Sequence, residues 1–197
     1  MHLWSPLLEL ARSGGWVMIP LSAVSLLMWT LIAERMITFR RLTARDIGIQ
    51  DAVHAVQGAA VNHFGHGLRA TLVRNFVRAR TGQPDLDKRI LQECAIKLRP
   101  MLNRNLSVIA ALGSVSPLLG LLGTVSGMIA TFNVISAIGT GNARPLAGGI
   151  SEALVATEAG LLVAIPGLLL SATLSRRASR LSHYLDQTTL VLEHHVG

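Results

Sequence analysis

The sequence predicts an all-α membrane protein that crosses the bilayer three times. Three observations carry that prediction. Residues 14–33 hold no charge over about the length that a bilayer core requires. No charged residue occurs between Arg104 and Arg144. From 146 to 175 the only charges are Glu152 and Glu158. The composition agrees. Of the 197 residues, 50% are apolar and 15% charged, against about 25% charged in soluble domains. Aromatics are 4% and glycines number 18, a balance suited to helices packed together in lipid.

Residues 1–13 read as an outer interfacial segment, with Trp4, Leu7, Leu8 and Leu10 available to the membrane surface. A cleaved signal is not expected there. No Lys or Arg precedes Arg12, and the apolar run that follows is too long and ends in Glu34-Arg35. The first span, 14–33, carries Trp16 and Trp29 near its two ends, where interfacial anchors belong. Pro20 falls in its first turns, where proline disturbs a helix least.

Residues 34–105 read as a helical cytoplasmic loop. Leu86, Ile90, Leu91, Cys94, Leu98, Met101 and Leu102 recur at helical spacing, and Pro84-Asp85 marks a helix start. This helix is expected to run into the second span with a bend at Pro100. The second span takes 106–138, with extra turns beyond the hydrocarbon. Gly139-Thr140-Gly141-Asn142 reads as a tight turn within a periplasmic connection of 139–145. So short a connection makes the third span, 146–175, antiparallel to the second. Residues 176–197 form a cytoplasmic tail.

Basic residues set the orientation. Of the 18 Lys and Arg residues, only Arg12 and Arg144 lie outside the 34–105 loop and the tail. That bias places the N-terminus in the periplasm and the C-terminus in the cytoplasm of a multi-pass inner-membrane protein. The formal charge of +7 is then explained by topology, and a nucleic-acid partner is not needed. Cys94 stands alone, so no intrachain disulfide forms. His63 and His66 read as solvated loop residues, because no further Cys or His completes a zinc set.

Span two carries small residues every three or four positions: Gly113, Ser116, Gly120, Gly123 and Gly127. Such a face lets backbones approach closely in lipid. Helix packing is its main expected role, within a ring of close-packed helices, so Gly127→Leu is expected to disrupt oligomers. The hydroxyls of Ser116, Thr124, Ser126 and Thr131 usually bond to their own helix and mean little alone.

Glu152 and Glu158 carry more information. A carboxylate inside a span costs several kcal/mol, on contested scales from about 2.5 upward, and such residues usually face a cavity or partner and handle ions or protons. With the hairpin centred near residue 142, Glu152 should lie level with Thr131 and Asn133, Thr157 and Glu158 with Gly127 and Ser126, and Thr124 with Gly160. These polar positions then form a ladder of oxygens within about 12 Å of vertical travel. The two acids cannot share a face, since six residues fall about 120° short of two turns. Glu158 is expected near the midplane as a structural, neutral acid donating to Ser126 or Thr124, or else as a second proton carrier. No cofactor is expected, and no hydrolase triad, phosphate loop or metal set is present, so enzymatic chemistry is not expected.

SPLLGLLGTVSGMIATF at 116–132 and GGISEALVATEAGLLVAIPGLLL at 148–170 resemble the two characteristic blocks of the MotA/TolQ/ExbB proton-channel family. The opening GGWVMIPL and Glu34-Arg35 resemble ExbB-type members. The resemblance implies long helices extending into the cytoplasm and a homo-oligomeric, pentameric ring. It also implies a single-span partner of the ExbD, TolR or MotB kind that threads the ring and carries a membrane aspartate. The family glutamate matches Glu152, and its pore threonines match Thr124 of LLGTV and Thr157 of VAT, so the resemblance places these three on the ion path. One departure is plain: alanine often follows the second threonine in ExbB and TolQ proteins, where this chain has Glu158. Three spans and a short loop differ from the four-span flagellar MotA.

The implied function is a ring subunit of a proton-motive-force-driven motor. It would energise a TonB-like protein acting on outer-membrane transporters. A TolQ-like subunit serving envelope integrity would use the same mechanism. A structural scaffold without ion flow belongs to a different class and is separated by Glu152→Gln, which it would tolerate. Sodium is a variant, since the oxygen ladder could supply several ligands at once.

Overall fold

A computed structural model of the chain describes residues 14–44, 46–57, 65, 67–139 and 143–196. The interfacial segment 1–13, His63, His66 and the turn residues 140–142 lie outside the described residues. Among the described residues there are six helices and no strand. They are α1 Met18–Ala44, α2 Ile49–Val56, α3 Leu68–Ala79, α4 Pro84–Asn103, α5 Leu106–Ile138 and α6 Ala143–His195. Three helical stretches, Met18–Ala44, Pro84–Ala137 and Leu146–His195, are long and apolar enough to cross a membrane. The chain divides into two compact units. One comprises the described residues up to Ile32 with Ser107–Ala172, and the other Ala33–Leu106 with Thr173–Gly197.

Two helices outrun the apolar stretches that begin them. α1 continues past residue 33 through Arg35, Arg40 and Arg41 to Ala44. α6 is one helix of 53 residues, so residues 176–195 continue the helix that contains the third apolar stretch. The reason is periodic burial. Leu174, Ala178, Leu185, Thr188 and Leu192 recur on one face and are all buried, so the face that needs covering does not end where the charges begin.

The charged unit is built on the ends of α1 and α6 with α2, α3 and α4. Its core includes Phe39, Leu42, Val56, Leu72, Phe76, Leu91, Leu98, Leu102 and Leu185. Asp46 anchors the start of α3. Its carboxylate accepts the Arg69 and Ala70 backbone N–H groups at 2.9 and 3.3 Å, satisfying two donors that a helix N-terminus leaves free. Burial raises the Asp46 pKa, and these amides and the Arg69 charge pull it back. The Arg69 side chain donates to Thr188 Oγ1 at 3.0 Å and lies 4.1 Å over the Tyr184 ring, a cation–π contact that ties α3 to α6. Arg99 and Asp186 pair at 2.8 Å.

α4 begins as the sequence suggests, with Pro84 at its start and Asp85 and Asp87 in its first turn. It does not run on into α5, and the break is not at Pro100, which lies inside the helix. The helix stops at Asn103, and Asn105 adopts φ 60°, a left-handed conformation that asparagine tolerates better than most residues. This break leaves the last carbonyls of α4 without helical partners. Arg35, only 2% exposed, supplies one by donating to the Met101 carbonyl at 3.1 Å. Arg35 also pairs with Glu34 at 3.3 Å. Asn105 Nδ2 donates to the other Glu34 oxygen at 3.2 Å. The Glu34-Arg35 pair thus caps the α4–α5 junction.

Candidate ion path

The apolar unit consists of α5 and the first part of α6 as a hairpin, with the first part of α1 against it. Large apolar side chains stand outward, among them Leu26 at 72%, Leu118 at 63% and Leu154 at 65% exposure. That is the surface that a bilayer, rather than water, accommodates. Inside, Met18, Leu21 and Ala159 form a core with Leu119 and Val163 against it.

The glycine face of α5 is buried inside this hairpin. A Cβ on Gly120 would lie 3.0 Å from the Ala156 carbonyl oxygen, and one on Gly127 would lie 2.8 Å from that of Gly149. A Cβ on Gly113 would meet Leu168 at 3.0 Å, and one on Gly123 would collide with the Ala156 Cβ. Within one chain this face packs mainly against α6. Small residues on both helices bring the backbones together, because any larger side chain would hold them apart.

The register also differs from the expected one. Thr157 lies beside Gly120, with its hydroxyl 3.4 Å from the Gly120 and Ala153 carbonyls, instead of level with Gly127. The offset along α5 is about two turns. Close packing of Gly120 on Gly160 and of Gly127 on Ala153 sets the pairing, whereas the expectation rested on the position of the turn alone. α6 already begins at Ala143.

Glu152 is half-buried. Its carboxyl reaches the lead-in to α1, where it occupies the space that a side chain on Gly15 would need. Gly15 has φ 70°, a conformation that glycine adopts freely, and its carbonyl accepts the Met18 N–H at 3.2 Å in the first turn of α1. Among the described residues no cation pairs with Glu152.

Thr124 is half-buried, and its hydroxyl donates to the Leu121 carbonyl at 2.7 Å. Ser116 and Thr131 likewise donate to Leu112 and Gly127 on their own helix. Glu158 is exposed. Its expected hydrogen bond to Ser126 or Thr124 is absent among the described residues, since Thr124 is used within α5 and Glu158 points out of the hairpin. Thr124, Glu152, Thr157 and Glu158 are not hydrogen-bonded to one another among the described residues.

The profile of the MotA/TolQ/ExbB proton channel family matches residues 59–187, which include all four of these positions. The chain belongs to the MotA/TolQ/ExbB family. Among its members it is most like ExbB. It is similar to Biopolymer transport protein exbB1 of Vibrio cholerae, 33% identical with 94% of this chain and 88% of the relative covered. It is also similar to Putative biopolymer transport protein ExbB-like 1 of Synechocystis, 32% identical over 95% of this chain and 78% of that one. Tol-Pal system protein TolQ of Haemophilus influenzae is 30% identical over 60% of this chain and 57% of its own length.

For this ExbB-like chain, sequence reasoning missed two features. Gly15 as the seat of Glu152 had a signal, the Gly14-Gly15 pair ahead of an apolar run, but no spacing rule links it to a residue 137 positions away. Arg35 as a cap for α4 had its signal in an arginine next to an apolar span, which topology alone explained.

Proposed function

We propose that this chain is the ring subunit of a proton-driven inner-membrane motor, with Glu152, Thr124 and Thr157 lining the ion path. The observation that carries the proposal is Glu152, a half-buried carboxyl in an apolar hairpin with no cation beside it among the described residues. Membership of a proton channel family supports it. The family resemblance implies a homo-pentamer working with an ExbD-like single-span protein, and relatives named for biopolymer transport support the transport reading. That assembly would energise a TonB-like protein. The 34–105 and 176–197 segments lie in the cytoplasm and the N-terminus in the periplasm, as the basic residues direct. The similarity to a TolQ protein supports envelope integrity as the second reading, with the same proton chemistry.

The test is Glu152→Gln, which keeps shape and removes the titratable proton. The complex should assemble normally and energy-dependent uptake should be lost. Thr124→Val and Thr157→Val should impair uptake more mildly, because each removes one hydroxyl. Normal uptake in the Glu152→Gln strain would refute proton transfer through this residue.

A further inference from the structure

A cavity of about 520 Å³ opens in the charged unit between α1 and α6, lined by Phe39, Arg40, Thr43, Arg177, Arg180 and Leu181 among others. Its composition is mixed in a specific way. The walls are largely apolar, and three arginines contribute to them. None of the three arginines has an acidic partner among the described residues. Asp46 lines an adjoining cavity with Arg180 and Tyr184. Its Oδ1 already accepts the Ile47, Arg69 and Ala70 amides.

Depth along the helices narrows the choice of ligand. The uncharged stretch of α1 ends at Ala33, and that of α6 at Ser175. Arg40, Arg177 and Arg180 follow these ends by roughly 10, 3 and 8 Å at 1.5 Å per residue. A headgroup layer is roughly 5–8 Å thick on each side of the hydrocarbon. Arg177 and Arg180 therefore stand at headgroup depth and Arg40 just beyond it, where its long side chain can reach back toward the headgroups.

We propose that this cavity binds an anionic phospholipid. The three guanidiniums would hold its phosphodiester by charge-assisted hydrogen bonds, and Phe39 and Leu181 would take the first methylenes of its chains. Basic pockets between membrane helices suit anionic headgroups. The proposal concerns a surface remote from Glu152 in sequence and does not depend on the ion-path assignment.

Native mass spectrometry of the full chain, titrated in detergent with phosphatidylglycerol or phosphatidylcholine, tests it. Phosphatidylglycerol should be retained on the order of tenfold more tightly. The triple variant Arg40→Gln, Arg177→Gln, Arg180→Gln should lose that preference. The control Arg78→Gln, Arg89→Gln, Arg104→Gln removes the same charge elsewhere and should keep it. No preference in the unmodified protein, or equal loss in both variants, would overturn the proposal. So would displacement of the lipid by excess inorganic phosphate, which would mark a site for the free ion.

A measurement on the unmodified protein covers the case in which the triple variant fails to fold. A photoactivatable phosphatidylglycerol should label 39–44 and 177–181, and labelling confined to other segments would count against the site. Thr43→Cys with Leu181→Cys tests whether a second copy fills the cavity instead. A disulfide joining two copies in phosphatidylglycerol vesicles would show that it does.

Discussion

At the scale of single residues, Glu152 and Gly15 form one unit. Any side chain at 15 must displace the Glu152 carboxyl and also adopt φ 70°, which costs a non-glycine residue about 1 kcal/mol or more. Gly15→Ala should therefore lower uptake while leaving the assembly intact, whereas Gly148→Ala, with nothing within 4 Å, should be silent. Uptake assays beside native mass spectrometry would check both, and full activity in Gly15→Ala would detach Glu152 from α1. Asp87 supplies a pH dependence. Its carboxylate accepts the Thr81 and Gly82 N–H groups and the Thr81 hydroxyl at 2.7–3.0 Å, and these bonds, the Thr81 amide first, lower its pKa. A lowered folded-state pKa means that its contribution is complete above the ordinary aspartate value of about 3.9. The contribution is lost as pH falls from there through the folded value. Asp46 has the opposite sign. Its pKa is raised, so its contribution is complete at low pH and is lost as pH rises through the folded value. A global melting curve mixes the two. Hydrogen exchange at Thr81 and Gly82 isolates Asp87: protection should fall below about pH 4 in the native chain and be independent of pH in Asp87→Asn.

Helices and their contacts carry the second set of expectations. The α5 glycines hold the hairpin at backbone distance, so a leucine at Gly127 must push against the Gly149 carbonyl and Ala153. Overpacking of this kind costs about 1–3 kcal/mol or more. The damage should appear first within one chain. Gly127→Leu should weaken a disulfide engineered between α5 and α6, and any loss of oligomer should follow from that. An intact hairpin with a broken ring would instead place the glycine face between copies. At the other end of α5, Arg35→Ala would leave the Met101 carbonyl without its donor and open a void, a loss of about 1–3 kcal/mol for the unsatisfied group. Limited proteolysis near Arg104 should reveal it, with cleavage faster than in the native chain.

For the whole molecule the central expectation is its orientation. Single cysteines at Ser5, Gln83 and Asn142, in a Cys94→Ser background, report the side on which each segment lies. A membrane-impermeant thiol reagent applied to intact cells should label positions 5 and 142 and spare 83. Labelling of 83 with protection of the other two would invert the orientation and put the arginine cavity on the opposite leaflet.

Much of this was readable from the linear order of residues. Hydropathy and charge belong to residues in isolation, so the three apolar stretches, the antiparallel hairpin and the isolated acid at 152 could be located without any contact being known. The bounds of α5 at Leu106–Ile138 lie inside the uncharged stretch between Arg104 and Arg144, flanked by Asn105 and Gly139, both in left-handed conformations. Geometry between helices was another matter. The hairpin register, with Thr157 beside Gly120 instead of Gly127, depends on which small residues nest against which, a property of two surfaces together. The continuation of α6 to His195 depended on the burial of Leu185 and Leu192 by neighbouring helices. The seating of Glu152 on Gly15 joins residues far apart in the chain, and only folding brings their atoms within reach.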